Sequence, residues 1–279
     1  ASGRSYDRSD FTHIASPDNE RLDFRYARTL QKRLKTQELR SIRITMIKQI
    51  TIYGETKTWT EGNHIWFDVK LRMGTSVTIY WGDGNTTAIF APYYKDSWCR
   101  AEHLYRNPKV ITPYIIEFFS DDFDSVLSIV DGLWETNARE LVIDNCPSLK
   151  ALTFHQLECM NLRGCPYLSY LDYESYRGVT LELNELSELK RLHCKNSEIV
   201  TLDIARNSMI GILGLYGCSN LKHIKINNNA PLSKVCVEFC NSLSSQSLKW
   251  LTNKVRESGG EIVDWLSGNY YSVGAMTSK

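Results

Sequence analysis

Beyond Asn137 the aliphatic residues of this chain fall on a fixed long period. One series runs Leu149, Leu152, Phe154, Leu157; then Leu168, Leu171, Tyr173, Tyr176; then Leu189, Leu192, Cys194, Ser197. It continues through Ile210, Leu213, Leu215, Cys218 to Leu232, Val235, Val237, Cys240, and the anchors Leu171, Leu192, Leu213 and Val235 stand 21, 21 and 22 residues apart. A second series, anchored at Met160, Leu181, Leu202 and Ile224, lies between them with the same spacing. Two interleaved series with one shared period predict a coil with two short straight segments per turn. No single coil can bury its own apolar side, so about five stacked coils are predicted to share one core as a solenoid.

The pattern changes on either side of this region. Upstream, Ile50–Tyr53, Ile65–Leu71, Val77–Trp81, Val110–Ile111 and Tyr114–Phe119 alternate apolar and polar residues or are rich in β-branched and aromatic ones, with Gly54, Gly62-Asn63, Gly74 and Gly82-Asp83-Gly84 between them. About seven short antiparallel strands, packed as a β-sandwich of immunoglobulin-like size, follow from this. Gly82 and Gly84 permit positive φ in a tight turn, Asp83 can bond back to the turn amides, and His103 can reach the Asp83 carboxylate. Downstream, Ser244 precedes a helical pattern with Leu248, Leu251 and Val255 on one face, closed by Gly259-Gly260 and a last strand at Glu261–Leu266. This reads as a C-terminal cap on the solenoid.

Two stretches resemble known families. Val77-x-Ile79-x-Trp81-Gly82-Asp83-Gly84, then His103-Leu104-Tyr105 and the strand at Tyr114, looks like the PKD-type β-sandwich domains of bacterial surface proteins over residues 46–120, apart from a long insert at Ala91–Ala101. The phrase Leu189-Lys-Arg-Leu192-His-Cys194-Lys-Asn-Ser197, ending at Thr201-Leu202-Asp203-Ile204, resembles the leucine-rich repeats of Bacteroidetes-type surface proteins over residues 138–243. The expected fold is mainly β: an immunoglobulin/PKD-like sandwich over 46–131, a leucine-rich repeat solenoid over 132–243, and a helical cap and tail over 244–279. The pairing of these two resemblances implies a secreted or cell-surface protein, an outer-membrane lipoprotein of a bacterium, lipid-anchored through a removed N-terminus.

Composition adds little to this. With 42% hydrophobic and 23% charged residues and a net charge of +1, the chain is neither disordered nor drawn as a whole to nucleic acid. It holds no apolar run long enough for a transmembrane helix. Charge is uneven, however: residues 1–48 carry 11 Lys/Arg against 6 Asp/Glu. Residues 1–45 read as a basic N-terminal segment, partly helical or loosely ordered, with Leu22, Tyr26, Leu30 and Leu34 at near-helical spacing.

Candidate chemistry is sparse. There is no P-loop, G-x-G-x-x-G, G-x-S-x-G or H-E-x-x-H motif, and the six histidines pair with no nucleophile nearby in sequence. The expectation is therefore no enzyme, no catalytic residues, no metal and no cofactor. Among eight cysteines, 146, 165, 218 and 240 take turn positions and Cys194 a buried strand position, leaving Cys99, Cys159 and Cys236 as the ones expected at the surface. With Leu and Ile pointing inward, the positions between them are expected to form outward ladders. In the first series these are Tyr170, Asp172 and Glu174, then Arg191, His193 and Lys195, then Tyr216 and Glu238; in the second, Asn161, Glu182, Asp203 and Lys225. A mixed ladder with Tyr and Arg has the composition of a recognition face, so a non-catalytic protein binding a protein partner through the solenoid is the first reading. The alternative is a carbohydrate-binding or adhesion module stacking sugar rings on Trp59 and Trp98, the tryptophans placed in or near loops.

Overall fold

The computed structural model describes residues 47–56, 63–106, 113–122, 124–132, 137–175 and 180–262. The basic N-terminal segment, Trp59, the expected strand at 110–111 and the tail from 263 onwards lie outside the described residues. The fold is mainly β and contains a β-solenoid of about five turns.

Its first strands are β1 (Ile47–Glu55), β2 (Asn63–Leu71), β3 (Ser76–Tyr80), β4 (Thr86–Phe90), β5 (Ser97–Tyr105), β6 (Pro113–Ser120), β7 (Val126–Asp131) and β8 (Asn137–Ile143). They form two facing sheets whose inward residues meet in a common core: Phe67 of β2 stacks on Trp81 at 5.9 Å and meets Phe118 of β6 edge-on at 5.1 Å. In β2 the alternation is complete, with Ile65, Phe67, Val69 and Leu71 fully buried between half-buried or exposed neighbours. That period-two pattern is what made these strands readable. The expected loop insert at Ala91–Ala101 is corrected: Ser97–Ala101 belongs to β5, which pairs with β2 across the register Val69↔Cys99 and Lys70↔Trp98.

The solenoid strands follow as β9 (Ala151–His155), β10 (Cys159–Asn161), β11 (Tyr170–Glu174), β12 (Thr180–Leu181), β13 (Arg191–Lys195), β14 (Thr201–Ile204), β15 (Ile212–Tyr216), β16 (His223–Ile226) and β17 (Lys234–Glu238). The first series supplies a parallel ladder in which Leu152, Leu171, Leu192, Leu213 and Val235 stand directly side by side. All five are fully buried. Apart from β14 and β16, which pair as a two-stranded sheet, these strands extend the sheets of the antiparallel strands. β9 pairs with β7, extending the sheet of β2 and β5 to nine strands, and β10 pairs with β8, extending the sheet of β1 and β6 to seven. Phe154 of β9 lies 6.4 Å from Phe67 of β2, so the first coil packs directly on the core of the antiparallel strands.

The coils turn at short corners of the form C-x-x-L, L-x-x-L or, at Asn207, N-x-x-I, closed by a backbone bond from the fourth residue to the first, as from Leu149 to Cys146, Leu168 to Cys165 and Leu221 to Cys218. The corner residue is buried and must be small or satisfied. Cys146, Cys165 and Cys218 fill the space, whereas Asn207 donates from its side-chain amide to the carbonyls of Leu183 at 2.9 Å and Leu186 at 2.8 Å. At the far end, α1 (Ser245–Glu257) begins on Ser244, whose hydroxyl accepts from the Ser247 amide at 3.1 Å, and buries Leu251 and Val255 against the last coil. Leu248, expected on the buried face, is instead 40% exposed. The final strand, β18 (Glu261–Ile262), pairs in parallel with β17.

Candidate functional site

The eight residues of the first ladder do share one face, that of the nine-stranded sheet turned away from the core. Three rows run across the strands: Tyr170–Arg191–Ile212–Lys234, Asp172–His193–Gly214–Cys236 and Glu174–Lys195–Tyr216–Glu238. Their expected exposure to solvent is corrected. Tyr170, Asp172, Glu174 and His193 are buried, and Arg191, Lys195, Tyr216 and Glu238 are half-buried. Cys236, expected at the surface, is buried as well. The polar groups are knitted together: Lys195 Nζ donates to Asp172 at 2.9 Å, the Tyr170 hydroxyl donates to Asp172 at 3.3 Å, and the Asn196 amide donates to Glu174 at 2.8 Å. Burial alone would raise the Asp172 carboxyl. The His193 ring, 3.9 Å away, and the Lys195 ammonium outweigh it and hold the group at about 2.

The second ladder lies on the opposite side of the coil and is open. Here β14 and β16 pair with Thr201 beside His223 and Asp203 beside Lys225, all four exposed, and Glu182 is exposed one coil earlier. Lys225 Nζ lies 3.1 Å from Asp203, and the Asn227 amide donates to the Ala205 carbonyl at 2.7 Å. Asn161 of the same series is half-buried on β10. This face sets the acidic Glu182 and Asp203 beside the cationic Lys225, with β14 and β16 held in parallel register.

A third polar grouping surrounds the turn after β3. Gly82 and Gly84 take φ of 85° and 89°, and a Cβ on Gly82 would stand 2.9 Å from the backbone of Ile115, so only glycine lets the turn approach β6 this closely. Asp83 accepts from the Asn85 backbone amide at 3.0 Å, and His103 Nε2 lies 2.7 Å from the same carboxylate, the contacts expected of this turn. His103 stacks on buried Trp81 at 5.1 Å, and the Tyr105 hydroxyl donates to the Trp81 carbonyl. An open cleft of about 630 Å³ lies beside it, lined by His64, Asn85, Glu102 and Arg106 among others. Sequence reading missed His64, Glu102 and Arg106. Their only signal is position on adjacent strands, and His64 and Glu102 meet at 3.6 Å.

Trp98 is not in a loop. It sits half-buried on the edge strand β5, on the same side as Val130, against Ala151 and Tyr170. Trp66 of β2 is likewise half-buried, its face covered by the Arg100 guanidinium at 4.4 Å. Arg100 in turn makes two 2.7 Å bonds to Asp68. One further buried pair joins Asp131 and His155 Nδ1 at 2.6 Å; burial raises the Asp131 carboxyl, with His155 opposing it.

The eight cysteines are free thiols, of which Cys159 is exposed and Cys99 half-buried. Burial pushes the Cys165 thiol up to about 12 and Cys146 well above its usual value, which suits inert packing. Among the described residues, no group of three or more His, Cys, Asp or Glu is placed to hold a metal ion, and no helix is long and apolar enough to cross a membrane. Comparison with protein families, curated proteins and solved structures finds nothing that matches this chain.

Proposed function

We propose that this protein is a non-catalytic interaction protein that binds a protein partner through the exposed face of its solenoid. The observation that carries this reading is the open second-series face: Glu182, Thr201, Asp203, His223 and Lys225 stand exposed, the last four on the paired parallel strands β14 and β16. An array of charged and polar side chains on paired backbone limits the ordering cost of binding and favours partners of complementary charge pattern. The first ladder, being covered, serves this less well. The repeat phrase and the Trp81–Gly84 turn support a finer reading: a leucine-rich repeat protein with a PKD-like sandwich, exported to a bacterial cell surface and held there by a lipid anchor.

The test is affinity capture from the surface fraction of the producing cells, with wild type set against Glu182→Arg and Asp203→Arg. Both sites are exposed and the Asp203–Lys225 pair is a surface one, so the fold should be retained with at most a small change in Tm. A partner held by wild type and lost at least tenfold by either charge reversal, but retained by Trp98→Ala, is the expected result. Capture indifferent to both reversals would overturn the assignment of the face, and glycan-array binding lost in Trp98→Ala would replace it with the carbohydrate reading.

A further inference from the structure

We propose that the turns joining β2 to β3 and β4 to β5 form a saccharide-binding site, in which tyrosine rings stack the sugar rings of a neutral oligosaccharide. The first observation is aromatic surface that is both open and held. Tyr93 is 75% exposed and Tyr94 62%, with Met73 beside them at 54%. Backbone bonds tie the two turns together: the Gly74 amide donates to the carbonyls of Ala91 and Pro92, and the Lys95 amide closes its turn onto Pro92. Tyr93 meets Phe90 edge-on at 5.6 Å and rests on Gly74, where a Cβ would stand 2.7 Å from the ring. The Lys95 ammonium lies 5.7 Å from the centre of the Tyr94 ring. Rings fixed in this way lose little freedom on binding, and their negative π faces suit the C–H-rich face of a sugar.

The second observation is the polar complement within the same turn. Asp96 accepts from the Met73 amide at 2.9 Å through Oδ1 and is otherwise exposed, so its carboxylate can also accept from sugar hydroxyls. Lys95 can donate to them, and the tyrosine hydroxyls can do both. Lys95 and Asp96 cancel in charge, which favours a neutral ligand over an ionic one. An anionic membrane surface fits less well: Asp121, Asp122 and Asp124 stand at this end of the molecule, joined to the β2–β3 turn by the bond from Arg72 to Asp124 at 3.3 Å.

The third is a further open ring on the same edge. Arg72 also donates to the Ser148 hydroxyl at 2.8 Å, and Ser148 is the third residue of the first solenoid corner, Cys146 to Leu149. Tyr167 holds the same place in the next corner, Cys165 to Leu168, about 4.8 Å further along at strand spacing, and is 60% exposed. Aromatic surface thus resumes beyond the Arg72–Asp124–Ser148 network instead of forming one continuous patch. A protein interface needs several hundred Å² of contiguous contact on each partner, whereas a chain of sugar units engages separated rings one unit at a time.

The test is an array of neutral gluco-, xylo-, manno- and N-acetylglucosamine oligosaccharides of increasing length, followed by titration of the full chain with whichever series binds. At least one series should bind, and more tightly as it lengthens. Tyr93→Ala and Tyr94→Ala should each weaken binding about tenfold with native circular dichroism, since both rings are exposed. Tyr94→Trp should retain it, and Tyr167→Ala should weaken only the longer members of the series. Binding to none of the four series would overturn the proposal, as would binding unchanged in a folded Tyr93→Ala/Tyr94→Ala double variant. Loss in Trp98→Ala would move the site to β5, and capture by phosphatidylserine vesicles that the double variant abolishes would reassign the turns to a membrane surface; either result refutes it. Asp203→Arg should leave glycan binding unchanged, so this site and the solenoid face stand or fall separately.

Discussion

Asp172 shows how one residue's surroundings set its contribution to the whole. Taking a carboxylate out of water is costly, and it remains charged here because Lys195 and His193 offset that cost within 4 Å. Held at about 2, against about 3.9 in an unfolded chain, the group binds its proton less tightly when folded. Its stabilising contribution is therefore complete above the unfolded value and is lost as pH falls from about 4 towards 2. Urea midpoints measured at pH 5 and pH 2.5 should fall more steeply for wild type than for Asp172→Asn, and equal slopes would show that the carboxylate is not linked to folding. The corner positions tell a similar story of local constraint. Gly217 takes φ of 68°, and a Cβ there would come within 2.2 Å of the Asn196 amide oxygen, while Gln156, Asn196 and Phe239 accept the same left-handed bend at the equivalent point of their own coils.

At the scale of the element, a solenoid strand is worth little alone and much in a stack. Leu192 sits in the middle of the ladder between Leu171 and Leu213, fully buried. Leu192→Ala should lower the unfolding free energy by about 2–5 kcal/mol, because neighbours fixed on both sides cannot collapse into the space; denaturant titration measures it, and a loss under 1 kcal/mol would mean the stack relaxes freely. The stacking was legible in the sequence for the same reason: a side chain that meets its own equivalent every 21 residues leaves a period in the text. The Trp81 turn was legible too, since two glycines and an aspartate each had a specific geometric task. What covers a sheet leaves no such trace. Alternation shows that Asp172 and His193 point away from the core, but it carries no information about what lies beyond them, so their burial escaped sequence reading. Trp98 was misplaced because the residues before it, Pro92 to Asp96, read as loop and hide the start of an edge strand.

Across the whole molecule, β7 and β8 matter most, since each pairs with an antiparallel strand on one side and a solenoid strand on the other. The antiparallel strands thus continue the stack at its N-terminal end, and the solenoid's first coil finds a ready-made apolar platform. Thermal unfolding should therefore be one transition seen equally by tryptophan fluorescence and by far-ultraviolet circular dichroism, and Leu213→Ala, far along the solenoid, should lower both midpoints together. Two separated transitions would show that the shared sheets do not couple the parts. The parallel pairing has a further consequence for descent. Since each coil repeats its neighbour's register residue for residue, duplicating or deleting one 21-residue unit shifts everything beyond it by about 4.8 Å and leaves both ends of the stack intact. The distance between the Trp81 turn and α1 is thereby a length that duplication can adjust in fixed increments, like links added to a chain.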